Sequence, residues 1–328
     1  MNSILNIKNA FTKRNVVSFI MQNKALVIFI FIAVIMSFIS EYFLTTINIL
    51  NVIRQVSAIM ILAVGFTLVL GSGNIDLSIG SSLGLLGIIM AMLSRNGVPF
   101  PIVVIIGISL GAFIGIMNAA FIHLFSLPPF IVTIATSSVL KGTGYIITKM
   151  KAVIGLSDSF LLVGQGYLGK IPIPIYIVTI VGIVGYLIAN RTVFGRHAIA
   201  SGASREAARA SGVNIYLINY GVFTMVGICV AISSIIMTGR VGSAQIATGQ
   251  GMEMDVIAAV VIGGTYMIGG NANIVGSMMG CLLVGTVNNM LNLTNVDPNY
   301  QIVAKGLLIL FAVTLDTMST KLINKLKV

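Results

Sequence analysis

Long apolar stretches separated by short polar ones run along almost the whole chain. They lie near residues 25–40, 52–70, 77–93, 102–125, 130–147, 173–189, 215–237, 256–268, 274–293 and 302–315. A membrane-spanning helix needs roughly 20 apolar residues, so the pattern predicts about ten transmembrane helices. The stretches at 77–93 and 256–268 are short and contain glycine, which predicts broken or re-entrant helices there.

Composition supports the same class of protein. Of the 328 residues, 57% are hydrophobic and only 8% are charged, and the mean hydropathy is +1.05. Soluble domains carry about 25% charged residues, so this chain needs lipid around most of its surface. We therefore predict an all-α integral membrane protein whose membrane domain covers residues 25–318, between an amino-terminal tail at 1–24 and a carboxyl tail at 319–328.

The net charge of +11 comes from basic residues concentrated in three polar stretches. Clusters of this kind mark cytoplasmic segments, so both tails and a loop at 190–214 are predicted to be cytoplasmic, as ten spans would require. The predicted external connection at 148–172 fits less well, because it carries three lysines. No aromatic platform accompanies the basic residues, which argues against nucleic acid. The clustered residues are Lys8, Lys13, Arg14, Lys24, Arg191, Arg196, Arg205, Arg209, Lys321, Lys325 and Lys327.

The two halves of the chain repeat a pattern of glycine, asparagine and proline. Gly115 and Asn118 in the first half match Gly285 and Asn288 in the second, and a proline follows each asparagine at a similar distance. Five predicted spans separate the matching elements, so the repeat would be inverted in the membrane. Inverted repeats are typical of transporters, whose pathway lies where the repeats meet. Glycine at every fourth position is also ordinary close packing between helices, which we favour for the glycines themselves.

Three carboxylates lie in apolar surroundings: Asp76, Glu253 and Asp255. A charge at bilayer depth costs about 2.5–3.5 kcal/mol on insertion scales, so these side chains should face protein or water. Two interpretations stay open, because Asp76 and Asp255 could instead cap helices that begin at Leu77 and Val256. The predicted pathway or gate residues are Asp76, Ser78, Asn118, Glu253, Asp255 and Asn288.

Residues 204–212 within the loop at 190–214 predict a short helix with a serine cap and a glycine stop. We call residues 190–214 the docking loop and this element the docking helix. Exposed between spans, it could receive a cytoplasmic partner or rest on anionic headgroups, and we favour the partner. The predicted coupling residues are Arg205, Glu206, Ala207, Ala208, Arg209 and Gly212.

Three other features predict no chemistry of their own. Residues 164–170 read GQGYLGK, which resembles a nucleotide-binding loop. The isoleucine and proline that follow Lys170 fit neither the magnesium ligand nor the helix that such a loop requires, so we predict a flexible loop and no nucleotide site. His123 and His197 are far apart, and Cys229 and Cys281 lack partners at ligand spacing, so no metal site or cofactor is expected.

Five stretches carry a family resemblance that spans about residues 52–316. They read NIDLSIGS at 74–81, PFIVTIAT at 129–136, TVFGR at 192–196, AARASG at 207–212 and GMEMDVIAAVVIGGT at 251–265. These stretches resemble the permease subunits of bacterial ABC importers of the ribose, xylose and galactose type. The chain departs from that family at Met252, where tyrosine is usual, and at 201–204, where Gly-Gly-Asn is usual.

The resemblance implies a permease subunit in the bacterial cytoplasmic membrane that forms the translocation pathway for a monosaccharide, most simply a ribose-type sugar. It implies a homodimer, an extracytoplasmic sugar-binding protein, and a cytoplasmic ATPase that binds ATP and magnesium and docks on the central loop. The permease itself would not be an enzyme. An ion-coupled secondary transporter of a small polar solute is the alternative, because an inverted repeat also fits that class.

Overall fold

The computed structural model describes residues 24–297, 299–304, 306–307, 310 and 314. Residues 1–23 of the predicted amino-terminal tail, all of the predicted carboxyl tail at 319–328 and much of the last predicted span, 302–315, lie outside the described residues. The elements in chain order are α1 Lys24–Ile39, α2 Thr46–Gly71, α3 Ile79–Arg95, α4 Phe100–Leu124, α5 Pro129–Thr148, α6 Asp158–Gln165, β1 Tyr167–Leu168, β2 Ile171–Pro172, α7 Ile173–Arg191, α8 Val193–Ala203, α9 Arg205–Ala210, α10 Ile215–Val241, a 3-10 turn Ile246–Gly249, α11 Met252–Ile262 and α12 Ile274–Leu293.

Helices dominate the described part of the chain, and several of them are long enough to cross a bilayer. Six helices in that part meet the requirements of length and apolar composition, namely α2, α4, α5, α7, α10 and α12. Two shorter apolar helices add to them, at Phe29–Ile39 and at α3. The chain is therefore a multi-pass helical membrane protein, as its composition predicts.

The two segments predicted to be broken are short helices joined to non-helical backbone. Residues 74–78 form no helix, and α3 begins only at Ile79. Helix α11 has 11 residues and is followed by non-helical residues 263–273. At 1.5 Å per residue it is about 16 Å long, roughly half the thickness of the hydrocarbon core. Helix α11 starts at Met252, so the predicted start at Val256 is wrong and Asp255 lies inside the helix.

Helices α2 and α10 form the centre of the molecule and pack on each other. Every residue of α2 from Val56 to Gly71 is buried. Glycines let the next helices approach closely, because a Cβ at Gly111 on α4 would overlap the carbonyl of Gly227 on α10. A Cβ at Gly285 on α12 would likewise overlap Val56 on α2. The packing interpretation of these spaced glycines is confirmed.

The connection at 148–172 has regular structure: residues 164–170, for which the sequence predicts a flexible loop, include the end of α6 and strand β1. It contains α6 and the antiparallel pair β1–β2, in which Tyr167 faces Pro172. Val153 also pairs with Ala244 through two backbone hydrogen bonds of 2.8 and 2.9 Å. These backbone bonds replace the water contacts that a loose loop would need. We call this side of the molecule the hairpin end and the opposite side, where residues 190–214 lie, the loop end.

The docking loop contains two helices, α8 and α9. The side chain of Ser204 accepts a hydrogen bond of 3.2 Å from the N–H of Ala207, and Gly212 has φ of +83° after the last turn. The predicted short helix with a serine cap and a glycine stop is confirmed. Of its two predicted coupling alanines, Ala207 is exposed and Ala208 is buried.

Candidate functional site: a polar cluster at a broken helix and the docking loop

Asp76 shapes the backbone turn that leads into α3. Its Oδ1 accepts hydrogen bonds from the N–H and the hydroxyl of Ser78, at 2.8 and 2.6 Å. Ser78 is the last residue before the helix, and its own side chain makes no capping bond. Asp76 therefore holds the start of α3 from two residues upstream of Ser78, without being the cap residue itself. Both residues are buried, at 3% and 1% exposure.

The cluster extends from Ser78 to two further helices. The side-chain amide of Asn118 on α4 donates to the Ser78 hydroxyl at 3.0 Å, and the Thr136 hydroxyl on α5 donates to Asn118 Oδ1 at 2.7 Å. In this series of hydrogen bonds, each side chain donates to the next one nearer to Asp76. The structure thus brings together three of the predicted site residues, and it satisfies their polar groups within a buried part of the protein.

Glu253 lies beside the first turn of α3. A Cβ at Gly80 would overlap both the carboxylate oxygen Oε2 of Glu253 and the carbonyl of Gly249, so only glycine fits at position 80. The first turns of α3 and α11 are therefore neighbours. The amino-terminal end of a helix carries a partial positive charge, which favours a carboxylate at this position. Glu253 is half-buried, so its carboxylate is not sealed away from its surroundings.

The remaining two predicted residues lie on helices of the second half of the chain. Asp255 is buried in the first turn of α11, and Asn288 is buried on α12. The Oδ1 of Asn288 has no hydrogen-bond partner among the described residues. The structure does not bring Asn288 to Asn118, although the two asparagines occupy matching positions in the sequence repeat.

Most of the predicted coupling residues are exposed on the docking loop. Glu206, Ala207, Arg209 and Gly212 are exposed, and the Arg209 guanidinium lies 5.9 Å from the ring centre of Tyr216. Arg205 instead reaches inward and donates to the side-chain oxygen of Asn74 at 3.2 Å. The docking helix therefore presents charge outward while its first residue contacts the interior.

Sequence reasoning missed Thr136, Asn74 and Asn219 as members of these networks. Thr136 and Asn74 both fall inside the family-like stretches, so the signal was present but pointed to no particular partner. Asn219 lies within the apolar sequence of α10, where it accepts a hydrogen bond of 3.0 Å from Asn74. A polar residue within an apolar membrane-spanning sequence usually contacts another polar group, and this could have marked Asn219 as a member of a network.

The described residues show a large cavity away from the polar cluster. It has a volume of about 800 Å³, lies between α4, α7 and α10, and is lined mainly by apolar side chains such as Ile116, Val184 and Ile228. None of the predicted pathway residues lines it. Among the described residues, no group of three histidine, cysteine or acidic side chains is arranged to hold a metal ion.

Membrane-spanning helices, two short helices whose first turns meet, and an exposed helical loop together define a membrane transport protein of the permease class. The family model described as "Branched-chain amino acid transport system / permease component" matches residues 48–313. The match covers most of the chain, and the chain belongs to this family.

Curated relatives align over nearly the whole chain. The ribose import permease protein of Haemophilus influenzae is 35% identical over 314 residues, which cover 94% of this chain and 97% of the relative. The ribose import permease protein of Bacillus subtilis is 37% identical, with 87% and 89% covered. The D-allose transport system permease protein of Escherichia coli is 33% identical, with 89% and 90% covered. No solved structure matches the chain.

Proposed function

We propose that this chain is the membrane permease subunit of an ATP-driven importer and forms the pathway for a monosaccharide. The observation that carries the proposal is the alignment, over most of both chains, with permeases named for ribose, allose and xylose. All three are neutral sugars rich in hydroxyl groups. The structure supplies the matching type of protein, a multi-pass helical membrane domain with buried polar side chains at a broken helix.

The pathway is proposed to run beside the meeting point of α3 and α11. Asp76, Ser78 and Asn118 hold the start of α3, and Glu253 lies against its first turn. Discontinuous helices of this kind mark the binding region in many transporters, because their ends offer unpaired backbone groups to a solute. Asp255 and Asn288 are proposed to serve the same region from the second repeat.

Ten spans arranged as an inverted repeat are part of this proposal, and the packing of the two halves supports the repeat. Helix α4 of the first half packs on α10 of the second, while α12 of the second packs on α2 of the first. The short helices follow the same rule, since α3 contacts α10 and α11 contacts α2. Exchanging the halves leaves this set of contacts unchanged, as a pseudo-two-fold axis in the membrane plane would require.

The partners are proposed from the same family relationship. A cytoplasmic ATPase carries ATP and magnesium and docks on α9, which places the loop end in the cytoplasm. An extracytoplasmic sugar-binding protein delivers the sugar at the hairpin end, and a second copy of this chain completes the pathway. Exposed apolar side chains such as Ile105, Val139 and Ile180 suit contact with lipid or with the second copy.

The decisive experiment is sugar uptake into proteoliposomes that contain this chain with its ATPase, binding protein and ATP. Ribose, xylose and allose would be supplied in turn, with each partner omitted as a control. Uptake that requires both partners and ATP supports the proposal. Uptake by this chain alone, independent of ATP and driven by an ion gradient, would show a secondary transporter instead.

A further inference from the structure

The docking helix contacts the segment that precedes α3 through one side-chain pair. Arg205, the first residue of α9, donates to Asn74 Oδ1 at 3.2 Å. Asn74 is 1% exposed, and its amide nitrogen donates to Asn219 Oδ1 at 3.0 Å and to the Ser72 hydroxyl at 2.9 Å. An exposed helix is thus tied to a buried residue that lies only two positions before Asp76.

Backbone contacts between glycines reinforce this connection. Gly71, Gly73, Gly202, Gly269 and Gly270 come together at the loop end, and we call this group the glycine junction. A Cβ at Gly202 would overlap the carbonyl of Gly71 and closely approach the nitrogen of Gly270, and the Gly270 N–H donates to the Gly71 carbonyl at 2.9 Å. Because no side chains lie between these backbones, a displacement of one cannot be accommodated by side-chain rotamer changes.

The glycine junction brings together three stretches of backbone: one in the docking loop, one that leads into α3, and one that follows α11. Gly202 lies in α8, which leads directly into the docking helix. Gly71 and Gly73 begin the stretch that ends at Ser78 and α3, whereas Gly269 and Gly270 lie between α11 and α12. A movement of the docking loop would therefore displace, within one small region, the backbone that leads to both short helices.

We propose that Arg205 is a positioning residue that transmits displacement of the docking helix, through Asn74 and the glycine junction, to the start of α3. This inference rests on the proposed function, since the ATPase is the partner that would displace the helix. From Asn74 the displacement reaches Asp76, whose two bonds to Ser78 fix the first turn of α3. The gate at α3 then follows the ATPase cycle.

A packed connection of this type suits a switch with discrete states. Arg205 is exposed and has donors to spare, so it can exchange the Asn74 oxygen for water when the docking helix moves. Small shifts at such a contact become larger rearrangements because packed helices have few alternative arrangements. The efficiency of this coupling can be measured as the number of sugar molecules moved per ATP hydrolysed.

The test uses the complete transporter in proteoliposomes and measures that ratio together with ATP hydrolysis. Arg205→Ala removes the bond from an exposed position, so we expect a normally inserted protein that still hydrolyses ATP but moves about fivefold less sugar per ATP. Asn74→Leu should give the same defect. Arg191→Ala is the matched control, because it removes an exposed arginine of the docking loop that is not part of the relay, and it should retain the wild-type ratio.

The double variant separates transmission from simple docking. If Arg205 acts through Asn74, combining Arg205→Ala with Asn74→Leu should cost no more than either change alone. Multiplied defects, or an unchanged ratio in both single variants, would overturn the proposal. Loss of ATP-dependent uptake in the wild-type transporter would instead overturn the proposed function, so the two failures are distinguishable.

Discussion

At the scale of single residues, the buried polar groups around Asp76 are satisfied by short local bonds as well as by distant partners. Asp76 illustrates the first kind, since both of its bonds go to Ser78, two positions away. Asn118 and Thr136 illustrate the second, because they reach the same cluster from α4 and α5. The sequence marked Asp76 as costly to bury, and the structure shows what compensates that cost.

Replacing Asp76 distinguishes a structural role from proton transfer. Asp76→Asn keeps an oxygen that can accept from Ser78, so we expect sugar uptake within about twofold of wild type. Asp76→Ala removes both bonds and should lower uptake by roughly tenfold, because the start of α3 loses its anchor. Initial rates in proteoliposomes provide the measurement. Complete loss of uptake in the asparagine variant would contradict this role and indicate a carboxyl group that must titrate.

Arg240 is a residue whose replacement is expected to stabilise the protein. Its Nη1 is buried without a hydrogen-bond partner among the described residues. Because a buried donor without a partner is unfavourable, Arg240→Met should stabilise the protein by about 1 kcal/mol, seen as a higher Tm in detergent. Lys170→Met, at an exposed position of the hairpin end, should leave the Tm unchanged. A lower Tm in the Arg240 variant would contradict the argument.

At the scale of elements, glycine decides which helices can approach one another. The sequence predicts broken or re-entrant helices at two places, and the structure has the short helices α3 and α11 there. It did not predict that their first turns would lie side by side, because that contact joins Gly80 to a residue far along the chain. The α6 helix and the β1–β2 pair were also missed, since elements this short carry too little hydrophobic periodicity.

Gly80→Ala tests the meeting of the two short helices. The added methyl group would overlap the Glu253 carboxylate and the Gly249 carbonyl, so the first turns must separate. We expect at least about a tenfold loss of uptake and a lower Tm in detergent, as overpacking a tight contact predicts. Gly142→Ala on α5 is the matched control, because nothing lies within 4 Å of its added methyl group. Equal behaviour of the two variants would show that this contact is unimportant.

At the scale of the whole molecule, the docking loop is the surface through which an outside partner could act. The described part of α9 exposes Glu206, Ala207 and Arg209, while Ala208 anchors the helix to the protein. The loop end also holds the glycine junction, which connects this surface to both short helices. A partner that binds here is therefore placed to affect both short helices, where the pathway is proposed, without entering the membrane.

Arg209→Glu tests whether a protein or the membrane surface meets this helix. Reversal of the charge should uncouple ATP hydrolysis from uptake and reduce copurification of the ATPase several-fold, while membrane insertion stays normal. Arg209→Lys keeps the charge and should retain most of the activity. If the helix instead rests on anionic headgroups, the variant would weaken binding to anionic lipid vesicles and leave ATPase copurification intact.

The sequence by itself determined the class of the protein and its longer helices, together with the capped helix at 204–212. Long apolar segments require lipid whatever the fold. The cap at Ser204 depends on residues three positions apart, so both features can be recognised within short segments of the sequence. Tertiary structure alone decided which buried polar groups meet. The bond between Arg205 and Asn74 joins residues 131 positions apart, and it exists because glycines allow three backbones to pack together at the loop end. Such contacts depend on the packing of whole helices, which no local pattern specifies.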